Sequence, residues 1–143
     1  EAAGTERGKN PAGPALADYC ADLGGIPIGG AVATPGFALS QTWVVHACGP
    51  RYGFDHPEAE LLASAYQSAL RVADEKQVRR VAFPAISTGV YGYPVTEAAR
   101  VAIKAITEML PRLQSVEEVR LVLYDAVAYQ VFAGVLQQQN GGG

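Results

Sequence analysis

Ser87, Thr88, Gly89 and Gly92 stand together in the run Val81-Ala82-Phe83-Pro84-Ala85-Ile86-Ser87-Thr88-Gly89-Val90-Tyr91-Gly92-Tyr93-Pro94, in which an apolar stretch empties into hydroxyls and glycines. Glycines let a backbone turn with successive N–H groups facing one point, and hydroxyls add donors. This combination can hold a diphosphate without any lysine. No Lys or Arg lies between Ala82 and Arg100. A Walker loop would need G-x-x-x-x-G-K-[ST] and a dinucleotide fold G-x-G-x-x-G, and neither pattern occurs, so nucleotide binding by either route is disfavoured. The same residues also describe an ordinary βα loop whose glycines only make the turn and whose Pro94 sits near a helix start.

Other reactive side chains give weaker signals. Tyr91 can lie against a ribose or phosphate, while Tyr93 can pack beneath the loop, and from the residues alone loop-anchoring aromatics are the favoured reading of both. His46 falls inside a strand expected to be buried and reads as a hydrogen-bonded core histidine. Cys48 ends the same strand with no base nearby to activate a thiolate. Cys20 and Cys48 have no metal-ligand spacing with His46 and His56, so the thiols read as buried small hydrophobes in a reducing, cytoplasmic setting, and no metal site is indicated. Ser87 lacks a G-x-S-x-G context, which leaves a serine-hydrolase reading weak. Asp18 and Asp22, four residues apart, read as a solvated helix face. Gly29 and Gly30 serve either a strand-entry turn or close approach of backbone to ligand.

The elements that must position these residues follow from periodicity. Leu16, Tyr19, Cys20 and Leu23 predict a short amphipathic helix over 13–23 ended by Gly24-Gly25. Gly30–Thr34 and the near-continuously apolar Trp43–Ala47 predict strands. Leu61, Leu62, Ala65, Leu70 and Val72 predict a helix from Glu58 to Lys76. Val78–Ile86 predicts a strand buried on both faces, Thr96–Met109 a helix, Val119–Asp125 a last strand and Ala126–Gln138 a terminal helix. Residues 137–143 read as a disordered tail or linker. Strands separated by helices argue for an α/β sheet covered on both faces, with ligands outside the carboxyl ends of its strands.

Composition agrees. The chain has 143 residues, 49% of them hydrophobic and 17% charged, enough for one domain with a sizeable core. A net charge of -3 argues against general nucleic-acid binding, which needs clustered basic side chains. No apolar run reaches membrane-spanning length.

Phe83–Pro94 resembles the diphosphate loop of macro domains, modules that bind ADP-ribose and include hydrolases of ADP-ribosyl esters. Ala12-Gly13-Pro14-Ala15-Leu16 is similar to the segment after that family's first glycine-rich loop, Gly29-Gly30-Ala31 to its next strand entry, and Trp43–Pro50 to its central strand. The resemblance runs from about Pro11 to about Leu136. It implies a three-layer α/β/α fold with a mixed, mostly parallel sheet. It implies ADP-ribose, free or carried on a protein, as ligand, with no separate cofactor. By the same resemblance Ser87, Thr88, Gly89, Val90, Tyr91 and Gly92 hold the diphosphate, and Tyr124 and Asp125 meet the adenine or its ribose. From the residues themselves, Tyr124 equally caps the sheet edge and Asp125 equally caps the terminal helix.

Family members normally open with a strand whose acidic residue reads the adenine amine, then an asparagine-rich turn and a G-G-G-V-like loop. None of these is visible ahead of Pro11, and residues 1–10 read as a flexible lead or the remnant of a longer chain. Catalytic residues are therefore unassigned. The expectation is a binding module, with removal of ADP-ribose from acidic side chains or deacetylation of O-acetyl-ADP-ribose as the enzymatic alternative. A structural fragment that self-associates by exchanging strands is the third.

Overall fold

The computed structural model describes residues 15–17, 27–35, 43–89, 91–123 and 125–142. In chain order these form β1 (Ala15–Ala17), β2 (Ala31–Pro35), β3 (Trp43–Ala47), α1 (Glu58–Glu75), β4 (Arg80–Phe83), α2 (Val95–Met109), a 3-10 turn (Leu110–Arg112), β5 (Glu118–Leu121) and α3 (Ala126–Gly142). The strands make one five-stranded sheet in the order β2-β3-β1-β4-β5. β2 and β3 are antiparallel, whereas β3, β1, β4 and β5 all run parallel. Parallel strands need crossover connections: α2 joins the neighbours β4 and β5, and α1 carries the chain from β3 past β1 to β4.

The helices form where the apolar spacing is strongest. α1 buries Leu62, Ala65, Tyr66, Ala69, Leu70 and Ala73, one stripe at three- and four-residue intervals. α2 buries Ala98, Ala99, Ala102, Ile103, Ala105, Ile106 and Met109. α1 packs on α2 and on β2 and β3, and α2 packs on α3. Alanine at so many of these positions lets the backbones approach closely, while Val45, Val81, Phe83 and Ile86 fill the sheet side of the core. Burying each such large side chain favours folding by roughly 1.5–3 kcal/mol. Glu58 and Glu60 in the first turn of α1 complement its dipole. Its last turn closes with Gln77 N–H on the Asp74 carbonyl and Val78 N–H on the Ala73 carbonyl, 3.0 and 3.1 Å, with Gln77 at φ 60°.

Four boundaries depart from the sequence reading. Ala15–Ala17 is a strand, paired with β3 at Val44, Val45 and His46 and with β4 at Ala82, instead of part of a helix. Ladder groups on two facing strands must be satisfied, and that tertiary demand outweighs helical spacing in a three-residue segment. β4 is shorter than Val78–Ile86 because Val78 belongs to the α1 terminus and Pro84 has no N–H to continue the ladder. β5 likewise ends at Leu121. α3 continues to Gly142, past the tail expected from Gln137, since glutamine supports helix extension well. The remainder of the 13–23 segment lies outside the described residues.

Candidate functional site

The parallel register places the carboxyl ends of β3, β4 and β5 along one sheet edge. β2 is antiparallel, so its start joins them: Ala31 pairs with Ala47. Four described segments therefore meet there: Gly29-Gly30, Cys48–Asp55, the loop from Pro84 to Gly89 with Tyr91–Tyr93, and Leu123 with Asp125. Open α/β sheets bind ligands at this kind of edge.

The Pro84–Tyr93 loop is set from beneath. Tyr66 of α1, fully buried, accepts the Ile86 N–H on its hydroxyl at 3.0 Å and donates to the Pro84 carbonyl at 3.3 Å. Its ring lies 5.1 Å from that of Phe83. Ser87 follows in the left-handed region at φ 70°, and Gly92 at φ 77°. The latter position explains a glycine directly, since only glycine adopts it without a steric penalty. Tyr93 N–H on the Ser87 carbonyl and Gly92 N–H on the Gly89 carbonyl close the turn at 2.9 and 3.0 Å. The exposed Gly89 N–H meets no acceptor among the described residues, and a Cβ at Gly89 would touch nothing.

The hydroxyls expected to help hold phosphate face inward. Thr88 Oγ1 donates to the Ala85 carbonyl at 2.9 Å, closing its own turn. Ser87 is buried over Gly49, where an added Cβ would collide with Ser87 Oγ and Ile86 Cγ2. The two hydroxyls shape the loop, which leaves main-chain groups exposed at its tip. Tyr93 packs beneath it, 4% exposed, its ring 5.0 Å from Tyr52. Desolvation, with Glu58 and Glu97 behind it, pushes the Tyr93 phenol above its usual range. Tyr91 is half-buried on the rim. Val90 and Tyr124 lie outside the described residues.

Asp125 sits at the same edge, exposed, and its Oδ1 accepts the Ala128 N–H at 2.7 Å. Its side chain caps α3, the second of its two sequence readings. Gly29 makes a strand-entry turn at φ 88°, and its carbonyl accepts from Ser64 and Ser68 of α1 at 2.8 and 2.9 Å. Gly30 and Cys48 exchange ladder-type contacts with this turn. His46 is buried in β3, as expected. Cys48 is disulfide-bonded, not the free thiol expected. Among the described residues no cluster of His, Cys, Asp or Glu could hold a metal ion.

Sequence reasoning missed the Arg51–Asp55 turn, which lies some forty residues before the loop it touches. Tyr52 N–H donates to the Tyr91 carbonyl at 2.9 Å. Arg51 thereby comes close to Tyr91, but its guanidinium is paired with Asp55 at 3.0 Å and adds little free positive charge. No periodicity announces such a contact. Tyr66 was equally invisible, since an aromatic on an apolar helix stripe reads as core.

Comparison with known proteins fits this geometry. The Macro domain family model matches residues 9–102. A macro domain-containing protein of Chlorobaculum tepidum is 49% identical over 109 residues, 76% of this chain and 63% of that protein. An O-acetyl-ADP-ribose deacetylase of Salmonella typhimurium is 44% identical over 134 residues, 90% of this chain and 75% of that protein. The chain thus spans a little under two thirds to three quarters of these relatives' lengths. Among solved structures, the Oceanobacillus iheyensis macrodomain with ADP has a TM-score of 0.76 at 33% identity, covering 86% of this chain and 66% of that one. The Trypanosoma brucei macrodomain in complex with ADP-ribose has a TM-score of 0.69 at 27% identity, covering 80% and 48%. The α/β/α class and its mixed, mostly parallel sheet are those expected from the sequence, and the chain belongs to the macro domain family.

Proposed function

We propose that the protein binds ADP-ribose, free or as an ADP-ribosyl group on a protein, with its diphosphate against the main chain of Ser87–Gly92. The observation that carries this reading is the loop after β4. It is turned by left-handed backbone at Ser87 and Gly92, propped by Tyr66, and presents the Gly89 N–H at the carboxyl edge of the sheet. Backbone donors suit a diphosphate at a chain of net charge -3, because they attract an anion without a basic patch. Tyr91, half-buried on the rim, lies against the ribose in this reading. Asp125 contributes through a carboxylate oxygen not taken by the Ala128 cap, and Tyr124 and Val90 belong to the same reading. Calorimetric titration with ADP-ribose, AMP and NAD tests it. Saturable binding with ADP-ribose preferred supports the proposal, and it falls if a variant with bulky residues at both Gly89 and Gly92 binds as well as the parent.

The enzymatic reading is favoured by one finding, the 44% identity to a protein named O-acetyl-ADP-ribose deacetylase. Acetate release from O-acetyl-ADP-ribose, followed over time, distinguishes turnover from binding. Self-association stays a separate proposal: β2 is an edge strand among the described residues, with Val32 41% exposed, and sedimentation showing a compact monomer would exclude strand exchange. No helix among the described residues is long and apolar enough to cross a membrane. The cytoplasmic setting is likewise a proposal, with the disulfide at Cys48 weighing against it; cell fractionation decides between them.

A further inference from the structure

We infer that Asp55 is a positioning residue for the diphosphate loop: it rigidifies the 51–55 turn, whose Tyr52 N–H fixes the carbonyl of Tyr91. The inference rests on the binding reading above, and none of the turn's side chains needs to touch the ligand.

Asp55 makes three contacts back to one residue. Its Oδ2 accepts the Arg51 main-chain N–H at 2.9 Å and Arg51 Nε at 3.0 Å, while Oδ1 accepts Nη2 at 3.2 Å. Paired two-point contact between a guanidinium and a carboxylate fixes orientation as well as distance. The main chain closes the same turn, with the Phe54 and Asp55 N–H groups both on the Arg51 carbonyl at 3.0 Å. Glu58, at the start of α1, accepts the Gly53 N–H at 2.9 Å and so ties the turn to a helix buried in the core. The Arg51 guanidinium lies 5.6 Å over the Phe54 ring. The Asp55 side chain is only 12% exposed although the turn is at the surface. Hydrogen bonds from the Arg51 side chain and backbone hold its carboxyl below the usual range.

Between Arg51 and Phe54 stands Tyr52, whose N–H reaches the Tyr91 carbonyl and whose ring packs on Tyr93. These two contacts grip the far limb of the diphosphate loop from outside, as Tyr66 grips the near limb from within. A peptide plane is rigid, so fixing the Tyr91 carbonyl fixes the Gly92 N–H on the same plane, and that N–H holds the Gly89 carbonyl at 3.0 Å and so sets the tip that carries the Gly89 N–H. Donors aimed in advance bind an anion more tightly than donors that must first be ordered. Freed from Asp55, the turn loses its side-chain closure and Tyr52 no longer holds Tyr91 in one place.

The experiment compares the parent with Asp55→Ala and Asp55→Asn, reading ADP-ribose affinity by calorimetry and amide hydrogen exchange without ligand. Asn keeps an oxygen for the Arg51 N–H, so it serves as the conservative rescue. Expected are an affinity about tenfold weaker in Asp55→Ala, most of it restored in Asp55→Asn. Exchange should become faster at Tyr52, Gly92 and Tyr93 in Asp55→Ala, with the α1 amides unchanged. Parent-like affinity and exchange in Asp55→Ala overturn the inference, as does faster exchange spread through α1, which would mark plain destabilisation. If the parent itself binds no ADP-ribose, the binding reading fails alone, and the exchange pattern still decides whether Asp55 orders the loop.

Discussion

Replacing Tyr66 by Phe removes one oxygen and leaves the ring against Phe83 in place. That oxygen serves two groups, accepting the Ile86 N–H at 3.0 Å and donating to the Pro84 carbonyl at 3.3 Å. Ile86 is 1% exposed, so water does not readily replace the lost acceptor. A buried donor left without a partner costs roughly 1–3 kcal/mol, and the longer bond to Pro84 adds little to that. For a domain of this size about 2 kcal/mol lowers Tm by roughly 6–10 °C. The perturbation lies one residue before Ser87, so the loop's left-handed turn loosens and ADP-ribose affinity falls with stability. Thermal unfolding followed by circular dichroism gives the first number, and calorimetry on the folded variant at 15 °C gives the second. Tyr129→Phe is the matched control, because Tyr129 is 63% exposed. A Tyr66→Phe variant that melts with the control, within a degree of the parent, refutes the argument that this hydroxyl props the loop.

Asp74 accepts three N–H groups, from Gln114, Ser115 and Val116, at 3.1, 2.6 and 3.1 Å. Desolvation opposes the charge, but these donors prevail and hold the carboxyl below its usual range. A depressed folded pKa means stability present above the unfolded value of about 4 and lost as pH falls through the folded one. Asp74→Ala should therefore unfold at lower urea than the parent at pH 7, with the gap narrowing on acidification; a gap independent of pH counts against the carboxylate. Gly134 lies exposed inside α3 with open space where a Cβ would stand, so Gly134→Ala should stabilise by about 0.5–1 kcal/mol, read as a higher urea midpoint. Gly49→Ala should cost about 1–3 kcal/mol through its collision with Ser87 and Ile86, and a melting temperature equal to the parent's would show that the seam yields freely.

The elements with strong periodicity were legible in the chain. α1, α2 and β3 fall within a residue or so of their expected bounds because each buries a regular apolar pattern. Ala15–Ala17 was not legible, since Ala-Leu-Ala carries no strand signal and its pairing comes from partners far along the chain. The candidate loop was found from its glycines and hydroxyls, but the division of labour within it was not. Whether Thr88 Oγ1 faces an anion or the Ala85 carbonyl is a question of local turn geometry that composition leaves open. Asp125 carried both readings, and the cap accounts for one oxygen. Tyr66 and Asp55 act on the loop across the fold, from sequence separations of about twenty and nearly forty residues. Patterns repeating every two or four positions are blind to such links.

Gly49 presses against Ser87 so closely that two loops arriving from different strands share one seam without room for a methyl group. Gly89, two residues beyond Ser87, faces open space. Mutational drift in this protein is therefore steeply graded over a few ångströms. The tip near Gly89 can sample new side chains, and with them new ligand preferences, whereas the seam beneath tolerates almost none. A selection for folding that randomises both positions should recover many residues at the tip and chiefly glycine at the seam, so that innovation in binding arises without renegotiating the scaffold.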